Sequence, residues 1–171
     1  SLPVMTTLGV TTLISDSGVT RYRVNTEEWM MYDRKKPSYW AFEKGVYMEQ
    51  FDSIFNVEAS IKADTAYYYD KERLWKLIGN VDIQNRKGER FNTELLYWNE
   101  ATQKVYSDKF IRIQQPDRII TGHGFDSNQQ MTIYTIRNIE GIFYVDEEAS
   151  SGPPQPETKA LPDSVNKDTA K

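Results

Sequence analysis

Short segments in which apolar and polar residues alternate, separated by polar turns, are the feature that most constrains this chain. In residues 55–64, apolar side chains occupy every second position from Phe55 to Ala63. A period of two places these side chains on one face of a β-strand and the polar ones on the other. The alternation returns near Val81 and near Ile111. Turn signals recur about every ten residues, which predicts an all-β protein with on the order of fifteen short strands.

The composition removes several classes of function. The chain has 171 residues, no cysteine and a net charge of −4, and aromatic residues make up 13% of it. The absence of cysteine excludes disulfides and thiolate chemistry. The mixed charges give no basis for nucleic-acid binding. No apolar run approaches the roughly 18 residues that cross a bilayer, and no signal peptide is visible.

The chain divides into a structured part and a tail. We predict one β domain over residues 1–148 and a disordered tail over residues 149–171, because the tail is charged, rich in proline and free of aromatic residues. The sequence begins at Ser1 and not at a methionine. We therefore expect a mature or truncated form that lacks its targeting segment or anchor.

The β domain contains a weak internal repeat. Residues 66–83 overlay residues 96–113 with an offset of 30, so that Val81 falls on Ile111 and Ile83 falls on Ile113. Such an overlay is expected of a repeated hairpin unit. It is equally expected of any alternating, turn-punctuated chain, and both explanations stay open at this point.

An ordered set of short phrases gives the chain a family likeness. The phrases are Asp16-Ser17-Gly18-Val19-Thr20-Arg21-Tyr22, Trp40-Ala41-Phe42-Glu43-Lys44-Gly45-Val46, Ala63-Asp64-x-Ala66, Leu77-x-Gly79-Asn80-Val81, Gly88-x-x-Phe91-x-Thr93-x-x-Leu96, Ser107-Asp108 and Gly122-His123-Gly124-Phe125-Asp126-Ser127-Asn128. With them, the segment from Ala63 to Val145 resembles the LptC family, the periplasmic component of lipopolysaccharide export, and the related bridging protein LptA. Together with the two earlier phrases, the likeness extends over roughly residues 4–146.

The resemblance implies a twisted, partly open antiparallel β-jelly roll. It implies a periplasmic, non-enzymatic protein that accepts lipopolysaccharide from an inner-membrane ABC transporter and passes it to an LptA-like bridge. The family usually carries an N-terminal membrane anchor, so we expect inner-membrane tethering through a segment absent from this sequence. No cofactor, metal or nucleic acid is implied.

A lipid carrier needs an apolar interior, because each exposed methylene costs roughly 0.8 kcal/mol. The inward residues of the alternating strands would supply it. The candidate lipid-binding residues are Phe55, Val57, Ile61, Trp75, Leu77, Val81, Ile83, Phe91, Ile111 and Ile113.

A relay protein also needs free sheet edges for strand addition. The resemblance places the transporter near residues 4–10 and the bridge near residues 139–145. The candidate edge residues are Val4, Leu8, Val10, Ile139, Ile142, Phe143 and Val145.

Two other functions fit parts of the sequence. The aromatic runs at residues 67–69 and 97–98 would suit a carbohydrate-binding β-sandwich if they formed a flat exposed platform. A hydrolase has less support, since the one histidine, His123, lies between two glycines where we predict a turn. No nucleophile elbow accompanies it.

Overall fold

Eleven β-strands and no helix make up the part of the chain that the structure describes. The computed structural model describes Pro3 and residues 5–16 and 20–145, with the backbone alone for residues 10–16, 20 and 21. The predicted tail lies outside these residues. The strands are β1 (Met5–Asp16), β2 (Thr20–Tyr32), β3 (Tyr39–Phe42), β4 (Val46–Phe51), β5 (Val57–Ala63), β6 (Thr65–Tyr69), β7 (Leu74–Asn85), β8 (Arg90–Asn99), β9 (Lys104–Gln114), β10 (Arg118–Asn128) and β11 (Tyr134–Tyr144).

All eleven strands belong to one antiparallel sheet that is folded over on itself. The fold arises because two long strands each change neighbour midway. The first part of β2 pairs with β4 and its last part with β3, while the first part of β7 pairs with β6 and its last part with β5. Since β3 pairs with β6 and β4 pairs with β5, the sheet separates into two halves between β2 and β7.

The long strands carry this division across the rest of the sheet. Register shifts interrupt β7, β8 and β10 near their middles. Extra residues at such bulges bend a strand sharply. The β3–β6 half is therefore completed by residues 74–78, 95–99, 104–107, 125–128 and 134–136 of the long strands. The β4–β5 half is completed by residues 81–85, 90–93, 110–114, 118–122 and 139–144.

Aromatic side chains from the two halves meet in one core. The ring of Phe91 in the β4–β5 half lies 5.7 Å from that of Phe125 and 5.1 Å from that of Tyr134, both in the β3–β6 half. Tyr22, which pairs with β4, lies 5.2 Å from Trp98 in the other half. Offset and edge-to-face contacts of this kind stabilise a core beyond their buried area. The predicted all-β, jelly-roll-like fold is confirmed, although with fewer and longer strands than expected.

Candidate functional site

The space between the two halves contains most of the predicted lipid-facing residues. Eight of the ten predicted residues are at most 8% exposed and belong to one apolar cluster. They are Ile61, Trp75, Leu77, Val81, Ile83, Phe91, Ile111 and Ile113. The alternation thus assigned the inward face correctly along β7 and β9 and in the second part of β5.

Phe55 and Val57 do not lie in the interior, contrary to prediction. Phe55 is 48% exposed and Val57 is 45% exposed. The strand β5 begins only at Val57, and Phe55 belongs to the preceding turn, with a left-handed φ of 66°. Asp52 holds that turn by accepting hydrogen bonds from the backbone amides of Ile54 and Asn56. The alternating pattern of the sequence therefore begins before the strand itself begins, at a place that the opposite half does not cover.

The core also contains large residues that the alternation did not single out. They are Phe42, Met48, Tyr68, Leu96, Trp98, Phe125 and Met131. In Leu95-Leu96-Tyr97-Trp98 every side chain is apolar or aromatic, so that a period of two is not visible in the sequence. The register with β7 resolves this ambiguity, because Leu96 pairs with Leu77 and Trp98 pairs with Trp75.

The interior is filled with side chains. A space of about 10 Å³ lies between Tyr22, Met48 and Ile61 on one side and Trp98 and Gln129 on the other. A volume of this size is about that of one water molecule. An acyl chain therefore fits between the halves only if they move apart.

The side of the fold opposite the bulges, where the ends of the two halves meet, is here called the mouth. Glu100 occupies the part of the mouth nearest to β2. This glutamate directly follows β8 and is 6% exposed. Its carboxylate accepts a hydrogen bond from Tyr22 Oη, another from Tyr68 Oη at 2.9 Å and a third from Trp75 Nε1 at 3.1 Å. Arg73 Nε lies 3.8 Å from Glu100 Oε1. Several donors thus compensate for the burial of one charge.

The electrostatics of Tyr22 follow from this contact. Burial, and after it the negative charge of Glu100, raise the pKa of Tyr22 far above its usual range. Tyr22 therefore stays a neutral hydrogen-bond donor at any physiological pH. Sequence reasoning missed both residues, since Asn99-Glu100 has the composition of an exposed turn.

Two further hydrogen bonds cross the mouth beyond Glu100. Asn85 Nδ2, at the end of β7 in the β4–β5 half, donates to the carbonyl of Met131 at 2.8 Å. Gln115 Nε2, just after β9, donates to Tyr134 Oη at the start of β11 at 2.7 Å. Together with the Tyr22–Glu100 bond, these contacts form a row along the mouth from β2 towards β11.

The first and last strands lie at the edges of the sheet. Within the described residues, β1 pairs with β2 and β11 pairs with β10. Leu8 is 70% exposed on β1, and Ile139 is 57% exposed on β11. Ile142 instead packs against the core, and Phe143 and Val145 are half-buried. Val10 pairs with Thr26, whereas Val4 lies outside the described residues.

The described residues thus form a bent antiparallel sheet with a filled apolar interior and two edge strands. The family model described as "Lipopolysaccharide-assembly, LptC-related" matches residues 10–143, nearly the whole of this sheet. The chain belongs to the LptC family. It is therefore involved in lipopolysaccharide transport, in which LptC proteins are a periplasmic component. Among curated proteins, none matches the chain.

The LptC-family sheet places His123 differently from the sequence prediction. His123 lies within β10 and not in a turn, and its Nδ1 forms a short contact with Glu140 on β11. Within the described ranges, no group of three or more histidine, aspartate or glutamate side chains is placed to hold a metal ion. The same residues include no helix of the length and apolarity that crosses a bilayer.

The aromatic runs do not form one flat platform in this LptC-family protein. Tyr68 and Trp98 point into the core, while Tyr67 and Tyr97 face outwards and are half-buried. The outer rings stand at varied angles. Those of Tyr97 and Tyr106 are 19° from parallel, and those of Tyr39 and Tyr67 are 76° apart. A sugar ring stacks on an exposed aromatic face, which this arrangement does not provide for the set as a whole.

The outer tyrosines provide a test of the electrostatics. Burial, and then the hydrogen bond to Glu43, raise the pKa of Tyr67 to about 12 from its ordinary 10.0. A raised folded-state pKa stabilises the protein fully below the unfolded value of 10.0, and this contribution is lost as the pH rises towards 12. We expect the difference in tyrosinate absorbance between the wild type and Tyr67→Phe to titrate near 12. In Glu43→Gln the midpoint should fall towards 10.0, and an unchanged midpoint would contradict the assignment.

Proposed function

We propose that this protein is a non-enzymatic carrier in the periplasm, tethered to the inner membrane in its full-length form. It accepts lipopolysaccharide from an inner-membrane ABC transporter and passes it to a bridging β-jelly-roll protein. The observation that carries the proposal is a continuous apolar interior within one sheet that ends in two edge strands. In the proposal, one molecule supplies an apolar interior that receives acyl chains when the halves part, and two edges for neighbours.

The interior supports the lipid-binding part of the proposal. Its inward residues continue along a single strand, from Trp75 and Leu77 in one half, across the bulge, to Val81 and Ile83 in the other. Transfer of a ten-carbon acyl chain from water into such surroundings contributes about 8 kcal/mol. This gain opposes the cost of partly separating the two halves. In the proposal, the acyl chains take the place of contacts that the core residues now make with each other.

The edges support the relay part of the proposal. Unpaired amides and carbonyls on an edge strand recruit a further strand from another protein. We assign the transporter to residues 4–10 (Val4, Leu8 and Val10), which include the start of β1, and the bridge to β11, around Ile139. On the bridge side, Ile142, Phe143 and Val145 would link the edge to the core, since Ile142 already packs against the core cluster.

Photocrosslinking tests the proposal with a matched pair of phenylalanines. Phe91 on β8 is fully buried in the interior, whereas Phe110 on the neighbouring strand β9 is 46% exposed on the outside. Each is replaced by benzoylphenylalanine, which adds a benzoyl group, so circular dichroism must first show that both variants are folded. We expect lipopolysaccharide to label position 91 on the order of tenfold more than position 110, given the apolar preference of acyl chains. Equal labelling at the two positions would refute an interior lipid site.

A further inference from the structure

In the cluster around Glu100, one hydrogen bond crosses the mouth and the others stay within one half. Glu100 belongs to the β3–β6 half, as do two of its donors, Tyr68 and Trp75. Among the side chains that the structure describes, Tyr22, whose strand here pairs with β4, is the donor that reaches Glu100 from the other half. Separation of the halves would therefore remove one donor from Glu100 and leave the others in place.

The same separation would return the Glu100 carboxylate to water. A buried carboxylate carries a desolvation penalty that hydrogen bonds only partly offset. Glu100 lies at the rim, beside the part-exposed Arg73, so that water reaches it as soon as the halves part. Rehydration offsets part of the loss of the Tyr22 bond. The Tyr22–Glu100 bond therefore favours the closed conformation, but by less than the bond alone would, because opening rehydrates the carboxylate.

The other two cross-links have the same character. Asn85 to Met131 and Gln115 to Tyr134 each join a residue at the end of the β4–β5 half to one at the end of the β3–β6 half. Both are polar contacts, and after opening water replaces most but not all of what each bond contributes. At the opposite side the strands run continuously from one half into the other through their bulges. The fold thus has a covalent hinge on one side and a row of replaceable polar contacts on the other.

We propose that the mouth is a gate through which acyl chains enter, and that Tyr22–Glu100, Asn85–Met131 and Gln115–Tyr134 hold it shut. This inference rests on the proposed lipid-carrier function. It adds the route of loading and the residues that control it. The gating residues position the two halves and do not themselves bind the lipid.

A matched pair of variants separates gating from a general loss of stability. Tyr22→Phe and Tyr68→Phe each delete one hydroxyl that donates to Glu100, yet only Tyr22 bridges the halves. Because the chain has no cysteine, spin labels attach only where cysteines are introduced. Lys87→Cys and Gln130→Cys place labels beside the Asn85–Met131 contact.

We expect Tyr22→Phe to increase the population of long label distances on the order of tenfold, as loss of a hydrogen bond to a charged group implies. Tyr68→Phe should keep the wild-type distribution. Circular dichroism establishes that both variants are folded. Indistinguishable distributions for the two variants would overturn the gate, as would a Tyr22→Phe distribution equal to that of the wild type.

The same cysteine pair tests loading. A cleavable bismaleimide linker joins positions 87 and 130, and capture of purified lipopolysaccharide is then timed. We expect the clamped protein to load at least about tenfold more slowly than the single-cysteine control carrying the same reagent, with the rate restored when the linker is cleaved. Equal loading of clamped and unclamped protein would overturn the gate. If the unclamped protein captures no lipopolysaccharide, the proposed function fails, and the label distances alone then decide whether the mouth opens.

Discussion

Trp75→Ala is expected to lower the free energy of unfolding by about 4 kcal/mol. Trp75 is fully buried where the two halves meet. Its ring lies 4.7 Å from that of Tyr68, 5.5 Å from that of Phe42 and 6.2 Å from that of Trp98. The alanine leaves a cavity that the surrounding strands cannot fill without breaking the register of β7 with its neighbours. It also removes a donor from the buried Glu100 carboxylate.

Urea unfolding followed by far-ultraviolet circular dichroism measures the loss. A decrease of this size is a large part of the roughly 5–15 kcal/mol that stabilises a typical domain. Trp75→Phe is the companion variant that keeps a ring but loses the indole donor, and it should lose less than the alanine variant. Trp40→Ala is the control, since Trp40 is only half-buried. If Trp75→Ala were no more destabilising than Trp40→Ala, the contact between the halves would not be the centre of the core.

The face of each strand that points inwards could be predicted from the sequence, because apolar and polar residues alternate over a short distance. Val81 and Ile83 were assigned inwards on this basis, as were Ile111 and Ile113, and all four are fully buried. The overlay with an offset of 30 residues also matches buried positions with each other. Tyr68 falls on Trp98, and both are buried. Local periodicity is enough to decide which side chains of a strand point inwards.

The length of the strands could not be predicted, because bulges use the same residues as turns. Gly79-Asn80 has the composition of a turn, yet both residues lie inside β7, with φ values of 86° and 48°. Gly124, with a φ of 86°, lies inside β10 in the same way. A left-handed residue ends a strand in one context and bends it in another. The bend is what folds the sheet into two halves, so the two-layered interior could not be read from the turn pattern.

The mouth could not be predicted for a different reason. Tyr22 and Glu100 are 78 positions apart, and Asn85 and Met131 are 46 apart. Nothing local distinguishes Glu100 from the many exposed acids of this chain, since glutamate is rarely buried without a partner. Its role follows from which strand ends meet, and this depends on the whole topology.

Gly122→Ala is expected to detach β11 and with it the proposed bridge-binding edge. A Cβ at this position would lie 2.4 Å from the carbonyl oxygen of Asn138 and 3.1 Å from Cα of Ile139, both in the backbone of β11. Backbone atoms of a paired strand cannot move aside as a side chain does. Relief requires β11 to shift away from β10, which breaks the ladder near the register shift at Thr121 and Gly122. Overpacking of this kind destabilises by about 3 kcal/mol.

Gly141→Ala provides the matched control on the partner strand. The atoms nearest to its Cβ would be side-chain atoms, of Phe143 at 3.0 Å and of Thr121 at 3.1 Å, and these can rotate away. We expect hydrogen exchange in residues 134–144 to accelerate at least about tenfold in Gly122→Ala and to change little in Gly141→Ala. Binding of a bridging β-jelly-roll partner should be lost only in the first variant, while the β3–β6 and β4–β5 halves remain protected. Retained binding with an unprotected β11 would move the partner surface away from this edge, because strand addition requires an ordered strand on which to add.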